Sequence, residues 1–291
     1  MGKVSVISGN TSKGLARRIA KKLDAAFIPT ETTNFPDGES KITLKKIHKK
    51  AIILVIQSTS PPVDTNLLQL LSMVSQARKF SSKIYVIIPY MGSARQDRSF
   101  LGGEIVTISV IAKMLKTAGA KKIIVVDIHS KTALKHFKIE AENVSAIPKL
   151  VNYFKKIKLK NPLIVSPDIG GSARAKEFAK QFNTDFISLK KHRNRKTGKV
   201  KIQSSKMNIK NRDLILVDDM ISSGGSIIKA TQFLKKHGPG KIFVACSHAI
   251  LVGDAEKNIR KAGVKEIIST NTILGRTAKV DVSDIIAKSI K

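Results

Sequence analysis

The sequence predicts an α/β protein of two doubly wound domains with mainly parallel sheets. Three observations carry this. Short, uninterrupted apolar runs rich in Val and Ile recur along the chain; amphipathic stretches of helical period separate them; and 291 residues suit two domains of ordinary size. In order, the runs are Val4–Ile7, Ala51–Ile56, Ile84–Ile88, Ile123–Val126, Leu163–Val165, Leu214–Val217 and Ile242–Ala245. Between them, Leu67, Leu70, Leu71, Val74 and Ala77 share one helical face, and Ile108, Ile111, Ala112 and Leu115 share another. A strand buried on both faces needs no polar alternation, so continuous apolar runs point to parallel sheets covered by helices. The first domain is expected over residues 1–145 and the second over 146–291. The basic stretch from Lys190 to Lys201 is expected as a loop or hairpin.

Composition removes several function classes. Cys246 is the one cysteine, so neither an intramolecular disulfide nor a thiolate zinc cluster can form within the chain. No apolar run approaches the length of a membrane span, and Val4–Ile7 is too short for the core of a secretory signal. A cytoplasmic protein without membrane contact is expected. The net charge of +32 has two readings: an anionic partner, either nucleic acid or phosphorylated metabolites, or a lysine-rich background that serves solubility. With 5% aromatics and no tryptophan, a base-stacking platform is poorly supplied, so no dedicated nucleic-acid function is expected.

Two segments carry chemistry. In Leu214-Ile-Leu-Val-Asp-Asp-Met-Ile-Ser-Ser-Gly-Gly-Ser226 an apolar strand ends in Asp218 and Asp219, then a Gly- and Ser-rich turn opens a helix. Such a turn presents consecutive backbone N–H groups and hydroxyls to a phosphate, and the helix N-terminus adds positive potential. The aspartates beside it suit sugar hydroxyls or a Mg²⁺-bound water. The segment is neither a Walker loop nor a dinucleotide fingerprint. Leu163-Ile-Val-Ser-Pro-Asp-Ile-Gly-Gly-Ser-Ala-Arg174 repeats the logic with Asp168, Gly170 and Gly171. Two such loops at carboxyl ends of strands in one sheet would converge on one crevice, and a ligand phosphorylated at both ends would satisfy both.

The Val217-Asp-Asp…Ser-Ser-Gly-Gly-Ser226 loop resembles the phosphoribosyl diphosphate loop of phosphoribosyltransferases and ribose-phosphate diphosphokinases. Other segments are similar to the diphosphokinase family in particular. These are Asn34-Phe-Pro-Asp-Gly-Glu39, Pro89-Tyr90 with Ala94-Arg-Gln-Asp-Arg98, Asp127-Ile-His129, Ser166-Pro-Asp-Ile-Gly-Gly171 and Lys191-His-Arg193. They fall in the family's order from about residue 34 to 226. The resemblance implies a phosphoribosyltransferase-like fold and a Mg²⁺-dependent transfer of diphosphate from ATP to ribose 5-phosphate. It implies that Arg95, Gln96 and Asp97 hold ATP, with Phe35, Asp37, Gly38 and Glu39 reaching the adenine from a neighbouring subunit of a homo-oligomer. It implies His129 and Asp168 as metal ligands, and Asp168, Gly170 and Gly171 as the diphosphate loop. Asp218, Asp219, Ser222, Ser223, Gly224, Gly225 and Ser226, together with Arg193, would bind ribose 5-phosphate. Lys191 and Arg193 would be catalytic.

This chain departs from the family pattern at Gln69, Met91 and Ser93. Ser222, Ser223 and Ser226 stand where Asp, Thr and Thr are frequent, which removes a carboxylate at the first position. Two rival readings share the fold. One is a phosphoribosyltransferase, which leaves Arg95-Gln96 and Lys191-x-Arg193 without a role. The other is a non-catalytic regulator that binds nucleic acid.

Overall fold

The computed structural model describes residues 4–44, 47, 52–193, 200–203 and 208–290, and of residues 190–193 and 200–203 it describes the backbone alone. Two compact units emerge. The first holds residues 4–145, 271–274 and 281–290; the second holds 146–270 and 275–280. The sequence reading placed all of 146–291 in the second domain. The difference has a physical cause at the C-terminus, described below with the first unit.

The first unit contains β1 (Val4–Ser8), α1 (Lys13–Leu23), β2 (Ala26–Asn34), β3 (Ser40–Leu44), β4 (Ile52–Ile56), α2 (Val63–Ala77), β5 (Ile84–Ile88), α3 (Thr107–Ala118), β6 (Ala120–Val126), α4 (Lys131–Leu134) and β7 (Glu140–Val144). Its sheet has the order β3-β2-β1-β4-β5-β6-β7, parallel except for the β2–β3 hairpin at one edge. On one face Ile53, Val55, Val86, Ile88, Ile123 and Val125 form a core with Leu70, Val74 and Ala77 of α2 and Ile108, Ala112 and Leu115 of α3. The intervening residues Leu54, Ile56, Ile87 and Ile124 are buried as well, so both faces are covered, as continuous apolar strands require.

The second unit contains α5 (Ile147–Phe154), β8 (Leu163–Ser166), α6 (Ser172–Phe182), β9 (Phe186–Ser188), β10 (Lys190–Arg193), β11 (Val200–Gln203), β12 (Leu214–Ile221), α7 (Gly225–Lys235), β13 (Ile242–Ala249), α8 (Ala255–Lys261), β14 (Glu266–Thr270) and β15 (Ala278–Val280). Its six-stranded sheet, β15-β14-β13-β12-β8-β9, is parallel throughout. The expected basic hairpin is the antiparallel pair β10–β11. Alternation along the strands separates two cores. Leu163, Val165, Leu214, Leu216 and Val244 meet Ile227, Leu234 and Ile259 on one side. Ile164, Ile215, Val217, Phe243 and Ala245 meet Leu150, Phe154 and Phe178 on the other. Phe154 lies edge-on to Phe178 and Phe243, with ring centroids 6.0 and 6.2 Å away. Truncating so buried a ring costs about 3–5 kcal/mol.

The last helix, α9 (Ser283–Ile290), lies against α1 and β7 of the first unit. Its buried residues Ile286 and Ala287 supply the apolar stripe that the exposed edge of that layer needs. Asp281 prepares its entry, accepting from the Ser283 N–H at 3.0 Å and from Asn271 Nδ2 at 2.8 Å. Among the described residues no helix is long and apolar enough to cross a membrane.

Candidate active site

β8 and β12 are adjacent parallel strands, with Leu163, Ile164 and Val165 opposite Leu214, Ile215 and Leu216. The two glycine-bearing loops therefore leave neighbouring strands at the same edge of one sheet. β12 runs on to Ile221, past the aspartates that were expected to end it, because Met220 and Ile221 still pair with His248 and Ala249 of β13. Asp218 and Asp219 thus stand on a paired strand, with Asp218 half-buried and Asp219 buried.

The turn after β12 is built around Gly224, whose φ of +77° is left-handed. It is the N-cap of α7, and no side chain caps the helix. The first turn of a helix leaves backbone N–H groups without helical partners, and Ser222, Ser223 and Ser226 beside it in the chain are half-buried or exposed, a combination that suits a phosphate. In the other loop, Ser166 Oγ donates to the Asp168 carbonyl at 2.7 Å, and the Gly171 N–H donates to Asp168 Oδ1 at 3.2 Å. A Cβ on Gly171 would stand 2.7 Å from Ser166 Oγ, so a side chain there would displace the hydroxyl that donates to the Asp168 carbonyl. In the same turn Gly170 is exposed and Asp168 half-buried.

Arg174, on the first turn of α6, joins the two loops. Its Nη1 lies 3.2 Å from Asp219 Oδ1 and 3.6 Å from Asp218 Oδ1. Burial pushes the Asp218 carboxyl well above the ordinary range, and the neighbouring Asp219 raises it further. Arg174 opposes this, and Asp168 adds to it. Asp168, Asp218 and Asp219 gather carboxyl oxygens beside a single guanidinium, a set that suits a cation. Among the described residues no three His, Cys, Asp or Glu side chains form a metal cage. The donor set fits a hard divalent ion held by one or two carboxylates, with substrate phosphates completing its shell.

In the first unit, the loops after β5 and β6 leave adjacent strands in the same way. Arg95 is exposed, Gln96 half-buried and Asp97 buried. Gly92 donates to Thr59 Oγ1 at 2.7 Å and Tyr90 donates to Ser58 Oγ at 3.1 Å, which fixes the start of the Arg95 loop against the end of β4. Asp97 turns inward: Oδ2 accepts from Ser130 Oγ at 2.5 Å, and its carbonyl meets His136 Nε2 at 2.8 Å. Asp97, expected to hold ATP, also ties the Arg95 loop through its carboxylate to the loop carrying the exposed His129. Phe35, Asp37, Gly38 and Glu39 form the tip of the β2–β3 hairpin, with Gly38 at φ +94° and Phe35 45% exposed. Asp37 Oδ1 accepts from the Glu39 N–H at 3.1 Å and so shapes the turn. Gln69 is buried and donates to Ser40 Oγ at 3.0 Å, bracing that hairpin from α2. The backbone of Lys191 and Arg193 lies in β10, and their side chains fall outside the described residues.

Sequence reasoning gave Arg174 no role. Its signal was available: an arginine three residues after a double glycine, on the first turn of a helix, with an unbalanced aspartate pair on the next strand.

Paired carboxylates beside a glycine-capped helix on a parallel sheet, with a second such turn on the adjacent strand, define the phosphoribosyltransferase class of fold. Residues 130–280 match the phosphoribosyl transferase domain, and residues 4–119 match the N-terminal domain of ribose phosphate pyrophosphokinase. The ribose-phosphate pyrophosphokinase of Sulfurisphaera tokodaii is 35% identical over 290 residues, covering 98% of this chain and 99% of its own. That of Haemophilus influenzae is 33% identical over 303 residues, covering 100% of this chain and 96% of its own. The crystal structure of phosphoribosylpyrophosphate synthetase from Mycobacterium smegmatis matches with a TM-score of 0.87 at 26% identity, over 99% of this chain and 97% of that one. The chain belongs to the ribose-phosphate pyrophosphokinase family.

Proposed function

We propose that this protein is a cytoplasmic ribose-phosphate diphosphokinase that moves the diphosphoryl group of ATP to ribose 5-phosphate, with Mg²⁺ as its cofactor. The anomeric oxygen forms a bond to the β-phosphorus. The bond from that phosphorus to the α–β bridging oxygen breaks, AMP leaves, and the anomeric hydroxyl releases its proton. One observation carries this reading: the diphosphate turn and the sugar-phosphate turn leave adjacent parallel strands and are joined by Arg174 to Asp218 and Asp219.

Ser222, Ser223, Gly224, Gly225 and Ser226 cradle the 5-phosphate on the first turn of α7. Asp218 and Asp219 accept hydrogen bonds from the ribose hydroxyls. Asp168, Gly170 and Gly171 receive the diphosphate. Arg95 and Gln96 supply donors to the triphosphate, and a guanidinium gives a planar fork for phosphate oxygens. Asp97 holds that loop in place. His129 and Asp168 would hold Mg²⁺, which would supply neutralisation of phosphate charge. Lys191 and Arg193 stabilise charge on the transferring group, and Arg193 also binds ribose 5-phosphate. Removing one preorganised donor of this kind typically costs about 3 kcal/mol of barrier.

Phe35, exposed at a hairpin tip beside Asp37 and Glu39, suits an adenine bound by a neighbouring copy, and we include a homo-oligomer in the proposal. The test is AMP release from ATP and ribose 5-phosphate, with no base added, by the wild type and by Lys191→Ala. The wild type turns over, and the variant loses orders of magnitude in rate while keeping ATP affinity. An inactive wild type would remove the reaction, and equal rates would remove Lys191 from it.

A further inference from the structure

Arg174 belongs by sequence to the diphosphate turn and by charge to the other loop. Its backbone sits on the first turn of α6, three residues past Gly171. A Cβ at Gly171 would lie 3.8 Å from its Nη1, so the guanidinium runs just under that turn. The same nitrogen lies 3.2 Å from Asp219 and 3.6 Å from Asp218, both on β12. The Arg174 and Asp218 side chains are 19% exposed and Asp219 4%, so these charges meet largely away from water.

We propose that Arg174 is a positioning residue for ribose 5-phosphate: it holds Asp218 and Asp219 side by side so that both present acceptor oxygens to adjacent sugar hydroxyls. The inference rests on the proposed reaction and deepens it. Consecutive carboxylates repel, and on a strand their side chains start toward opposite faces. Something must draw both toward one edge. The Asp219 N–H donating to Asp218 Oδ1 at 2.9 Å fixes one oxygen of Asp218, and Arg174 engages an Oδ1 of each carboxylate. The remaining oxygens are set as a pair. A guanidinium suits this role because it keeps its charge when largely buried, whereas a lysine ammonium in its place gives up its proton more readily. Arg174 also makes the sugar-binding pair depend on the turn that takes the diphosphate.

The experiment is steady-state kinetics of Arg174→Ala and Arg174→Lys with each substrate varied. For Arg174→Ala the KM for ribose 5-phosphate rises roughly 10–100-fold, the KM for ATP stays within about twofold, and Arg174→Lys falls between it and the wild type. Adding Asp219→Asn to Arg174→Ala costs little more, because Arg174 acts through that carboxylate. Guanidinium ion at low millimolar concentration restores part of the sugar affinity of Arg174→Ala. Equal shifts in both KM values, an unchanged KM for ribose 5-phosphate, or multiplying effects of the two substitutions would each overturn the assignment. Should Arg174→Ala fail to fold, Arg174→Lys decides on the same KM split. A wild type without AMP release would sink the reaction itself. An active wild type with indifferent Arg174 variants would sink this inference alone.

Discussion

A Cβ built on Gly224 would stand 2.7 Å from Cδ1 of Ile259, an α8 residue with no exposed surface. The turn that opens α7 is therefore pressed against the core of the second unit at Gly224, while Ser223 beside it is exposed. Gly224 also sits at φ +77°, so steric space and backbone conformation select the same residue.

Gly224→Ala should lower the stability of the second unit by about 2–4 kcal/mol, combining the cost of a left-handed alanine with overpacking against Ile259. It should also raise the KM for ribose 5-phosphate, because relief of the clash moves the phosphate-facing N–H groups. Gly225→Ala is the control, since its Cβ would meet Ser223 Oγ at 3.9 Å, an ordinary contact. Urea unfolding of both variants measures the difference. A Gly224→Ala variant as stable as Gly225→Ala would refute the packing argument.

Ser130→Ala should weaken ATP more than ribose 5-phosphate. The change removes the donor to Asp97 Oδ2 and the acceptor for the Thr132 N–H. A hydrogen bond to a charged carboxylate contributes about 1.5–3 kcal/mol, and here its loss frees the loop that carries Arg95. The expected outcome is a KM for ATP raised several-fold with ribose 5-phosphate affinity nearly kept. An unaltered KM for ATP would detach Asp97 from the positioning of Arg95.

Much of this architecture is written locally in the chain. Each predicted apolar run is a strand, because an uninterrupted Val/Ile run has few other ways to bury every side chain. Residue 51, predicted at the start of β4, lies outside the described residues. The two glycine turns were legible because an apolar strand followed by Asp and paired glycines is a pattern within a dozen residues, although the side chain that crowds Gly224, Ile259, comes from α8. Among the features that were not, three bear on the site or the domain boundary. The return of α9 to the first unit depends on an apolar stripe meeting α1, a pairing between chain ends that no short window encodes. The inward turn of Asp97 depends on Ser130, which reaches it only through the fold. Arg174 lies within the Ser166–Arg174 segment, yet its partners are a carboxylate pair on β12, over forty residues away.

Cys246 should resist thiol reagents in the native protein. It lies opposite Asp218 in the β12–β13 register and has no exposed surface. Burial pushes its thiol pKa well up, and the nearby Asp218 and Asp219 push it further. The reactive species is the thiolate, so reaction at mildly alkaline pH requires unfolding. Titration with a chromogenic disulfide should give no thiol in buffer and one in denaturant. Rapid native labelling would mean that β13 opens locally.

Asp281→Ala should loosen the C-terminal segment from the first unit. The carboxylate accepts from Ser283 N–H at 3.0 Å, Ser283 Oγ at 2.8 Å and Asn271 Nδ2 at 2.8 Å, with Arg18 Nη1 at 3.5 Å. Burial pushes its pKa up, but the Ser283 and Asn271 donors and Arg18 together outweigh burial, and the net shift is downward. A depressed folded pKa means that this contribution is present above the unfolded value of about 3.9 and is lost as pH falls through the folded one. The variant should lose about 1–2 kcal/mol near neutral pH, in the range of a lost helix cap. The gap to wild type should narrow as the pH drops below about 4, where the wild-type carboxylate takes up its proton. Denaturant melts at the two pH values measure both. A loss of equal size in acid would mean that Asp281 holds α9 by shape, and its charge would then have no part in bringing the chain's end back to its beginning.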